Sequence, residues 1–490
     1  MTTGALLQLV AYGAQDVYLS ANPQVTFFKQ AYKRHSNFAM ESIEQVFNGV
    51  ANFGKHATAT LARNGDLVSK IYLQATLPSI SSNVAGPLIP STFAWIPFVG
   101  QYLIKSVEVE IGGQLIDRHY GDWLHIWNEL TLPGGKGRDY LHMVNSYGGV
   151  RIEFDGSGEC VPCSAGDGSP LASVTQNQSI AIAALNGSGV DGALGAGLTI
   201  VGADVSSGNG GSTCIPENTL YVPLEFWFNR HVGLALPLIA LQYHEVKLNF
   251  EFNALENLVN IDGSGAPVVL SHLQSVGLVS ASLWVDYIYL DTEERRRFAQ
   301  VSHEYLIEQL QFTGAETVTS SFTKLNLQLN HPVKELIWTV QNPNYVDTCH
   351  SKTNCPWRYS DATGENPVAA AKLQLNGQDR FQAREGKYFN RVQPYQHHSD
   401  SPSSGINVYS FALTPETIQP SGSLNFSRID SAILQLWLTP SAFRTFILPI
   451  TGSVIPITEP DPTELYVRVY AVNYNVLRIM SGMGGLAYST

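Results

Sequence analysis

The sequence is poor in charged side chains. Lys, Arg, Asp and Glu make up 14% of its 490 residues, well below the usual quarter of a globular protein. The formal net charge is -12, which opposes a general role in neutralising phosphates, because that role needs clustered Lys and Arg. Direct binding of nucleic acid is therefore not expected.

The sequence also has no leading segment typical of export or of a membrane span. The first residues, MTTGALLQLVAYGAQDVYLS, lack a basic leader, and Gln8, Gly13 and Gln15 interrupt their apolar stretch. We therefore expect the chain to be synthesised and folded in the cytosol.

Cysteine is scarce, and its five positions are irregularly spaced. An odd number of this kind, with Cys214 standing alone, does not describe a disulfide framework, so free thiols are the default prediction. Cys160 and Cys163 form a CxxC, but the second pair and the nearby His that a zinc site needs are missing. The redox state of Cys349 and Cys355 stays open, since this pair could close a small loop after release from the cell.

Turn formers and aromatic residues are plentiful, with 42 Gly, 25 Pro, 22 Tyr and 21 Phe. Short runs of β-branched and aromatic residues end at Gly, Pro, Asn or Asp, and few stretches keep a helical period beyond three turns, which indicates an all-β protein. A chain of 490 residues is too long for one core, so two domains are expected. The strands predicted in this way are 67–77, 103–111, 220–228, 246–252, 283–290, 305–312, 325–329, 334–340, 371–375, 408–413, 432–438 and 465–472.

Weak landmarks occur twice and in the same order. The pairs are 107–114 (VEVEIGGQ) with 372–378 (KLQLNGQ), 220–228 with 408–413, and 284–291 (WVDYIYLD) with 466–473 (YVRVYAVN). Because internal repetition determines architecture, two tandem copies of one β-sandwich are the simplest interpretation.

The most charged stretch, DTEERRRFAQ at 291–300, lies between the two copies. Glu293 and Glu294 are placed to meet Arg296 and Arg297 across one helical turn. A basic patch is the functional alternative, but two glutamates beside three arginines favour a solvated face. We interpret 291–302 as the linker between a first domain at 25–290 and a second at 303–490.

A segment rich in Gly, Ser and Ala at 155–213 is nearly free of Lys and Arg. A loop of this length inside a compact domain is unusual, so we predict an outward-facing surface insertion. Asn177 and Asn186 begin N-x-[ST] sequons within it and are the candidate glycosylation sites. Asn425 begins a third sequon, which we attribute to chance.

One segment suggests a metal or acid-base site. His119, Asp122, His125 and Glu129 lie in a stretch with helical character, HYGDWLHIWNEL. The histidines are six residues apart and so fall on different helix faces, while the Trp and Leu between them predict packing.

Two further motifs resemble functional sites only superficially. Lys136 is followed by Gly137 rather than by Ser or Thr, so it is interpreted as a turn instead of a phosphate loop. His397 and His398 are adjacent without matched partners nearby, which predicts a surface loop. No GxSxG or HExxH is present. The sequence thus predicts no catalytic, cofactor-binding or metal-binding residue.

Long segments go beyond composition, and they resemble the major capsid proteins of the nucleocytoplasmic large DNA viruses, most closely the chlorella virus (phycodnavirus) type. They span nearly the whole chain in the order of that family. The segments are LVAYGAQDVYL (9–19), NPQVTFFKQAYKRHSNFAMESIEQ (22–45), RNGDLV (63–68), IGGQLIDRHYGDW (111–123), GLALPLIALQYHEVKL (233–248), VDYIYLDTEERRRFAQVSHEYLIEQLQFTG (285–314), QLNGQDRF (374–381), YFNRVQPYQ (388–396), PSGSLNFSRID (420–430) and NYNVLRIMSGMGGLAY (473–488).

The resemblance implies two tandem eight-stranded jelly rolls per chain with short helices in loops. It implies homotrimeric, pseudo-hexagonal capsomers that contact neighbouring capsomers and form the icosahedral shell of a large double-stranded DNA virion assembled in host cytoplasm. It further implies that the segment 1–24 lies on the inner capsid face, that minor capsid and penton proteins are partners, and that the inner membrane is met only indirectly. Regions 147–213 and 345–366 depart from the family pattern, so surface glycans are not carried over.

Two other functions remain to be compared with this one. A lectin or glycosidase is the first, because sandwiches often bind sugars, and Asp117, Asp122 and Glu129 form the carboxylate cluster to test for the spacing of roughly 5 to 9 Å that hydrolysis needs. A minor capsid or vertex protein is the second, but a single jelly roll is expected there, and the duplicated landmarks disfavour it.

Overall fold

The computed structural model describes residues 3–23, 32, 34–81, 91–133, 135–144, 152–154, 160–162, 213–215, 217–263, 274–346, 356–361, 363–444 and 464–488. Asn177, Asn186, Cys349, Cys355 and nearly all of the predicted insertion at 155–213 lie outside these residues. By their internal contacts, Met1–Phe38 and Ala39–Thr490 form two separate units. The first unit contains α1 (Thr3–Val10) and α2 (Val17–Ser20).

Eight strands between residues 38 and 290 form a first sandwich of two antiparallel sheets. Their bounds are β1 Phe38–Val46, β2 His56–Thr60, β3 Leu67–Leu77, β4 Ile104–Ile111, β5 Gln114–Tyr120, β6 Asn218–Pro223, β7 Val246–Phe252 and β8 Ser280–Leu290. One sheet has the strand order β1-β8-β3-β6, and the other has the order β2-β7-β4-β5.

Eight strands between residues 303 and 480 form a second sandwich. Their bounds are β9 His303–Val318, β10 Phe322–Asn326, β11 Pro332–Gln341, β12 Val368–Leu375, β13 Gln378–Asp379, β14 Ile406–Ser410, β15 Ala432–Leu438 and β16 Leu465–Met480. The sheet orders are β9-β16-β11-β14 and β10-β15-β12-β13.

The two sandwiches have the same topology. In each, the first, eighth, third and sixth strands form one sheet, and the second, seventh, fourth and fifth form the other. This order is that of a jelly roll, so the predicted fold, two tandem eight-stranded jelly rolls with short helices in loops, is confirmed.

Alternating side chains build each core. In β7 (VKLNFEF) every second residue is buried, because successive side chains of a strand point to opposite faces of the sheet. Inward residues of β3, β4, β7 and β8 form one core, and those of β11, β12, β15 and β16 form another. The outer faces of the sheets, which point away from these cores, are therefore the surfaces through which each sandwich contacts its neighbours.

The duplicated landmarks occupy equivalent places. The first pair forms the Gly turn between the fourth and fifth strands, the second contains part of the sixth strand, and the third lies in the eighth strand except for Asp291, which follows it. The predicted strand 220–228 is too long, since β6 ends at Pro223, and Trp227 begins a short helix. Proline has no N–H for a further ladder bond, which agrees with this end.

Helices and short strands occupy the connections. The helices are α3 Val99–Leu103, α4 Gly121–Thr131, α5 Gly137–Met143, α6 Trp227–Arg230, α7 Thr292–Gln300 and α8 Gln393–His397, with a π-helical turn at Tyr388–Val392 and 3-10 turns at Val232–Leu234, Leu255–Leu258, Pro343–Tyr345, Phe426–Arg428 and Pro440–Phe443. The short strands are Ile80–Ser81, Ser91–Trp95, Ile152–Phe154, Cys160–Pro162, Thr213–Ile215, Leu236–Pro237, Val259–Gly263, Arg384–Glu385, Leu424–Asn425 and Met483–Leu486. Among the described residues, no helix is both long and apolar enough to cross a membrane.

The charged stretch between the sandwiches is helical, but its predicted ion pairs are wrong. Asp291 caps α7, and its side chain accepts a hydrogen bond from the Thr292 N–H. The arginine that pairs is Arg295, whose Nε lies 3.1 Å from Asp66 Oδ1, rather than Arg296 or Arg297 with the adjacent glutamates. The helix is thus anchored to the first sandwich.

Candidate functional site at the joint between the two sandwiches

Helix α4 connects the two cores. It starts directly after β5, at Gly121, and the residue must be glycine there because a Cβ would lie only 2.4 Å from the Ile104 carbonyl oxygen. Leu124 points into the first core. The opposite face carries apolar side chains at the helical spacing of three and four residues. These side chains are Trp123, Ile126, Trp127 and Leu130.

The apolar face of α4 covers the outer face of the β9-β16-β11-β14 sheet. Trp123 lies 5.6 Å from Tyr470, whose ring stacks on Phe312 at 4.7 Å. The apolar side chains of this outer face are Leu310, Phe312, Ile337, Ile406, Val408, Tyr470 and Val472. The sheet of the second sandwich is therefore buried on both faces, and the two sandwiches share a third hydrophobic core at the joint.

The edge strand β5 is tied to β9 by hydrogen bonds. The Gln309 side-chain amide donates to the Ile116 carbonyl, and the Leu310 N–H donates to Asp117 Oδ1 at 3.0 Å. His119 Nε2 lies 3.0 Å from the other oxygen of Asp117. Asp117 is thus a buried tie between sandwiches.

The residues considered for metal or acid-base chemistry lie at this joint. His119 lies in β5, one residue before its end, so the helical character predicted for its segment is wrong at His119, and its ring stacks on Phe226 at 4.3 Å. Asp122 Oδ2 lies 3.4 Å from Arg468 in β16. Within the described ranges, no group of three or more His, Cys, Asp or Glu is arranged to hold a metal ion.

Glu129 links α4 to the second sandwich. It lies 3.3 Å from His125 Nε2 and accepts a hydrogen bond of 2.8 Å from the Ser403 N–H. Burial alone would raise the pKa of Glu129, but His125 and Ser403 outweigh it and lower the pKa to about 2. A carboxyl group held ionised by two such partners is not poised as a general acid.

A second set of buried charges surrounds Trp127. The Arg230 guanidinium lies 4.0 Å above the Trp127 ring and 2.7 Å from Glu308 Oε2. Lys334, whose side chain is fully buried, places Nζ 2.7 Å from the other oxygen of Glu308. Burial lowers the pKa of Lys334 despite the opposing effect of Glu308 and Glu335. Charges from both sandwiches are thus paired where water is excluded.

His398 contradicts the predicted surface loop. Its side chain is fully buried, with Nε2 3.0 Å from Glu335 and Nδ1 3.0 Å from Glu416. Burial alone would lower the pKa of His398, but these carboxylates raise it to about 9. Both partners are distant in sequence, so no local pattern indicated them. His397 is the last residue of α8, so the predicted loop is wrong for it as well, whereas Lys136 lies in the turn before α5, as predicted.

Comparison with known proteins identifies the family. Residues 26–291 match the model of the major capsid protein N-terminus, and residues 294–485 match the model of the large eukaryotic DNA virus major capsid protein. The chain belongs to this family of viral major capsid proteins. The resemblance stated from the sequence is confirmed.

Relatives match along their whole length. The major capsid protein of Phaeocystis pouchetii virus is 45% identical, over 99% of both chains, and that of Paramecium bursaria Chlorella virus 1 is 40% identical, over 99% of both. A solved quasi-atomic model of the PBCV-1 virus capsid is similar at 34% identity with a TM-score of 0.64, covering 95% of this chain and 100% of the other.

The capsid protein is a structural protein located in the virion capsid of a large DNA virus, and it is not an enzyme. The carboxylates considered for glycan hydrolysis, Asp117, Asp122 and Glu129, are each engaged at the joint instead. Their function is to connect two sandwiches.

Proposed function

We propose that the chain assembles as a homotrimer whose six sandwiches form a pseudo-hexagonal capsomer, and that these capsomers tile an icosahedral shell. The observation that carries the proposal is the identical topology of the two sandwiches together with their buried joint. Three chains, each holding two similar sandwiches at a fixed angle, give six similar units around one axis, in the closed symmetry usual for oligomers.

The chemistry of the joint supports a rigid block. It combines a hydrophobic core with the ion pairs Asp122–Arg468 and Arg230–Glu308, so a change in the angle between sandwiches would expose both apolar area and buried charge. A permanent trimer of such blocks is expected to bury on the order of 2,000 Å² or more per interface. Contacts between capsomers are expected to be smaller and more polar, so that assembly can correct errors.

The experiment is the native mass of the purified protein by light scattering after size exclusion, with electron microscopy of the same peak. The expected mass is about 161 kDa, three times the 53.6 kDa chain, with a hexagonal outline. A monomer that binds or cleaves glycan would overturn the proposal in favour of a sugar-active protein.

The division of the chain belongs to the same proposal. We assign 25–290 and 303–490 to the two jelly rolls, 291–302 to the linker and 1–24 to a segment on the inner capsid face. The limits of the two family matches support the position of the linker. Deleting residues 1–20 is expected to leave trimers intact and to impair assembly into particles, whereas loss of the trimer on a sizing column would defeat this assignment.

Partners and modification are further parts of the proposal. Minor capsid and penton proteins are expected beneath and between the capsomers, with assembly in the host cytoplasm. Asn177 and Asn186 are the proposed sugar attachment sites, because both sequons lie in the Gly- and Ser-rich insertion. Mass spectrometry of peptides from purified virions tests this, and unmodified asparagine at both positions would contradict it.

A further inference from the structure

The helix that makes the joint has a structural counterpart in the second sandwich. Gly121 is the first residue of α4, and Gly386 lies two residues before a helical segment, Tyr388–His397, that also follows the fifth strand of its sandwich. A Cβ at Gly386 would lie 1.8 Å from the Val368 carbonyl oxygen. Val368 is the first residue of β12, as Ile104 is of β4. Each glycine therefore lies against the first residue of the fourth strand in its own sandwich.

Counted from the two glycines, three positions of the helical segments correspond, whereas Tyr388, at the place of Trp123, packs against the second core. Phe389, three residues after Gly386, packs in the second core, as Leu124 does in the first. On the opposite face, the positions of Trp127 and Leu130 are taken by Val392 and Tyr395. Trp127 is buried against the next sandwich, whereas Val392 is 40% exposed and Tyr395 is 82% exposed. The second helical segment therefore presents a docking face that nothing covers within the described part of the chain.

The first sandwich contains the sheet equivalent to the one that α4 covers, and among the described residues its outer face carries partly exposed aromatic side chains. In the second sandwich, α4 covers the outer face of the β9-β16-β11-β14 sheet. The equivalent β1-β8-β3-β6 sheet presents Tyr72 and Trp284, stacked at 6.4 Å with an interplanar angle of 6°, and Tyr221 beside them at 6.2 Å. Tyr221 is 38% exposed, and Trp284 is partly exposed, although its indole N–H is buried and has no acceptor among the residues that the structure describes.

We propose that the helical segment Tyr388–His397 of one copy packs on the outer face of the β1-β8-β3-β6 sheet of a second copy, with Val392 and Tyr395 against the aromatic surface of Tyr72, Tyr221 and Trp284. The interface between chains thereby repeats the joint within each chain. This inference rests on the proposed trimer, in which such a head-to-tail contact closes into a ring after three copies.

Charge distinguishes the two contacts. Within the chain, Asp122 on the helix pairs with Arg468 on the eighth strand of the receiving sheet. Lys387 takes the place of Asp122 after Gly386, and the eighth strand of the other receiving sheet presents Asp286 beside Trp284. The charges on helix and sheet are both reversed between the two contacts. Asp122 therefore attracts Arg468 but would repel Asp286, and Lys387 attracts Asp286 but would repel Arg468.

The first test is the double variant Val392→Asp with Tyr395→Asp. Both side chains are exposed in the single chain, so the fold should persist, while two buried carboxylates without partners should prevent docking. Light scattering is expected to shift from three chains to one, with unchanged circular dichroism. The matched control is Tyr243→Asp, at an aromatic residue that is 76% exposed and lies off the proposed surface, and it should remain trimeric.

The outcomes separate this inference from the trimer itself. A wild-type protein that is not trimeric would defeat the proposed function. A trimeric wild type with a trimeric double variant, or with a control that dissociates equally, would overturn only the docking surface.

A second measurement locates the contact directly. A photo-crosslinking phenylalanine analogue in place of Tyr395 is expected to give a crosslinked dimer whose partner peptide contains residues 70–74, 219–223 or 282–286. Crosslinks confined to the second sandwich of the partner would overturn the inference.

Discussion

The buried pair of His398 and Glu335 should make the stability of the capsid protein depend on pH. Because His398 lies in the second sandwich with its charge held by Glu335 and Glu416, its pKa is raised from 6.5 to about 9. A raised pKa in the folded state means that protonated histidine favours folding. The difference corresponds to about 3 kcal/mol, at 1.36 kcal/mol for each tenfold change in proton affinity.

The sign follows from the direction of the change. The stabilisation is fully present below pH 6.5, where the histidine is charged in the folded and unfolded chain alike, and it is lost as the pH rises from 6.5 through 9. The same contacts lower the pKa values of Glu335 and Glu416. The stabilisation from these ionised carboxylates is lost in acid, as the pH falls through the pKa values that they have in the folded protein. The two effects act in separate pH ranges and are not added.

The assay compares urea unfolding of the wild type with that of His398→Gln at pH 6, 8 and 9.5. The wild type should be more stable by about 3 kcal/mol at pH 6, and this gap should close towards pH 9.5, since the wild-type histidine is then neutral as well. Groups that titrate in both proteins cancel in the difference. Glu335→Gln should likewise reduce the pH dependence, because it removes the carboxylate with the larger effect. A gap of constant size across this range would refute the reasoning.

Three further predictions follow, two on the joint and one on the glycine before its counterpart in the second sandwich. Trp127→Ala should lower the free energy of unfolding by about 3 to 5 kcal/mol, measured by urea denaturation, because the ring is 4% exposed and also supports Arg230. Gly386→Ala should reduce the yield of folded trimer in size exclusion, since its Cβ would collide with backbone, whereas Gly377→Ala, with open space around its Cβ, should cost only the strain of its positive φ. Glu129→Gln should lower the midpoint of thermal unfolding, because it weakens the contacts with His125 and Ser403. If the wild type hydrolysed glycans and this variant did not, the structural role of Glu129 would be contradicted.

The strands could be predicted where one face of a sheet meets a core. The predicted limits 67–77, 246–252 and 432–438 are those of β3, β7 and β15. The long strand β16 was predicted to end eight residues early. It continues because Asn475 is buried and its amide donates to Gln309 in β9, so a polar residue takes an inward position that alternation alone assigns to solvent. A contact between distant strands determines that position.

The candidate site was predicted less well, because its charges are paired across the fold. The local pattern around His119 and Glu129 correctly indicated packing, but it gave no sign that Asp117 and Glu129 reach Leu310 and Ser403 in the other sandwich. For His398 the local pattern predicted exposure, and both acidic partners lie on other elements. Sequence periodicity indicates which face of one helix or strand is apolar. It carries no information on which charged residue, distant in sequence, pairs with a polar side chain of that element.

Duplication within one chain lets the two contacts differ in chemistry while sharing geometry. The joint inside the chain forms once during folding, so α4 can present two tryptophans that never need to meet water. The helical segment Tyr388–His397 must remain soluble until a second copy arrives, and a large exposed apolar patch would favour aggregation. Its docking face accordingly carries Tyr395, whose hydroxyl group tolerates water before assembly and whose ring remains available for burial afterwards, beside a single small aliphatic side chain, Val392. Two linked sandwiches therefore allow a permanent joint and an assembly interface to be optimised separately, which a ring of six identical single sandwiches does not permit.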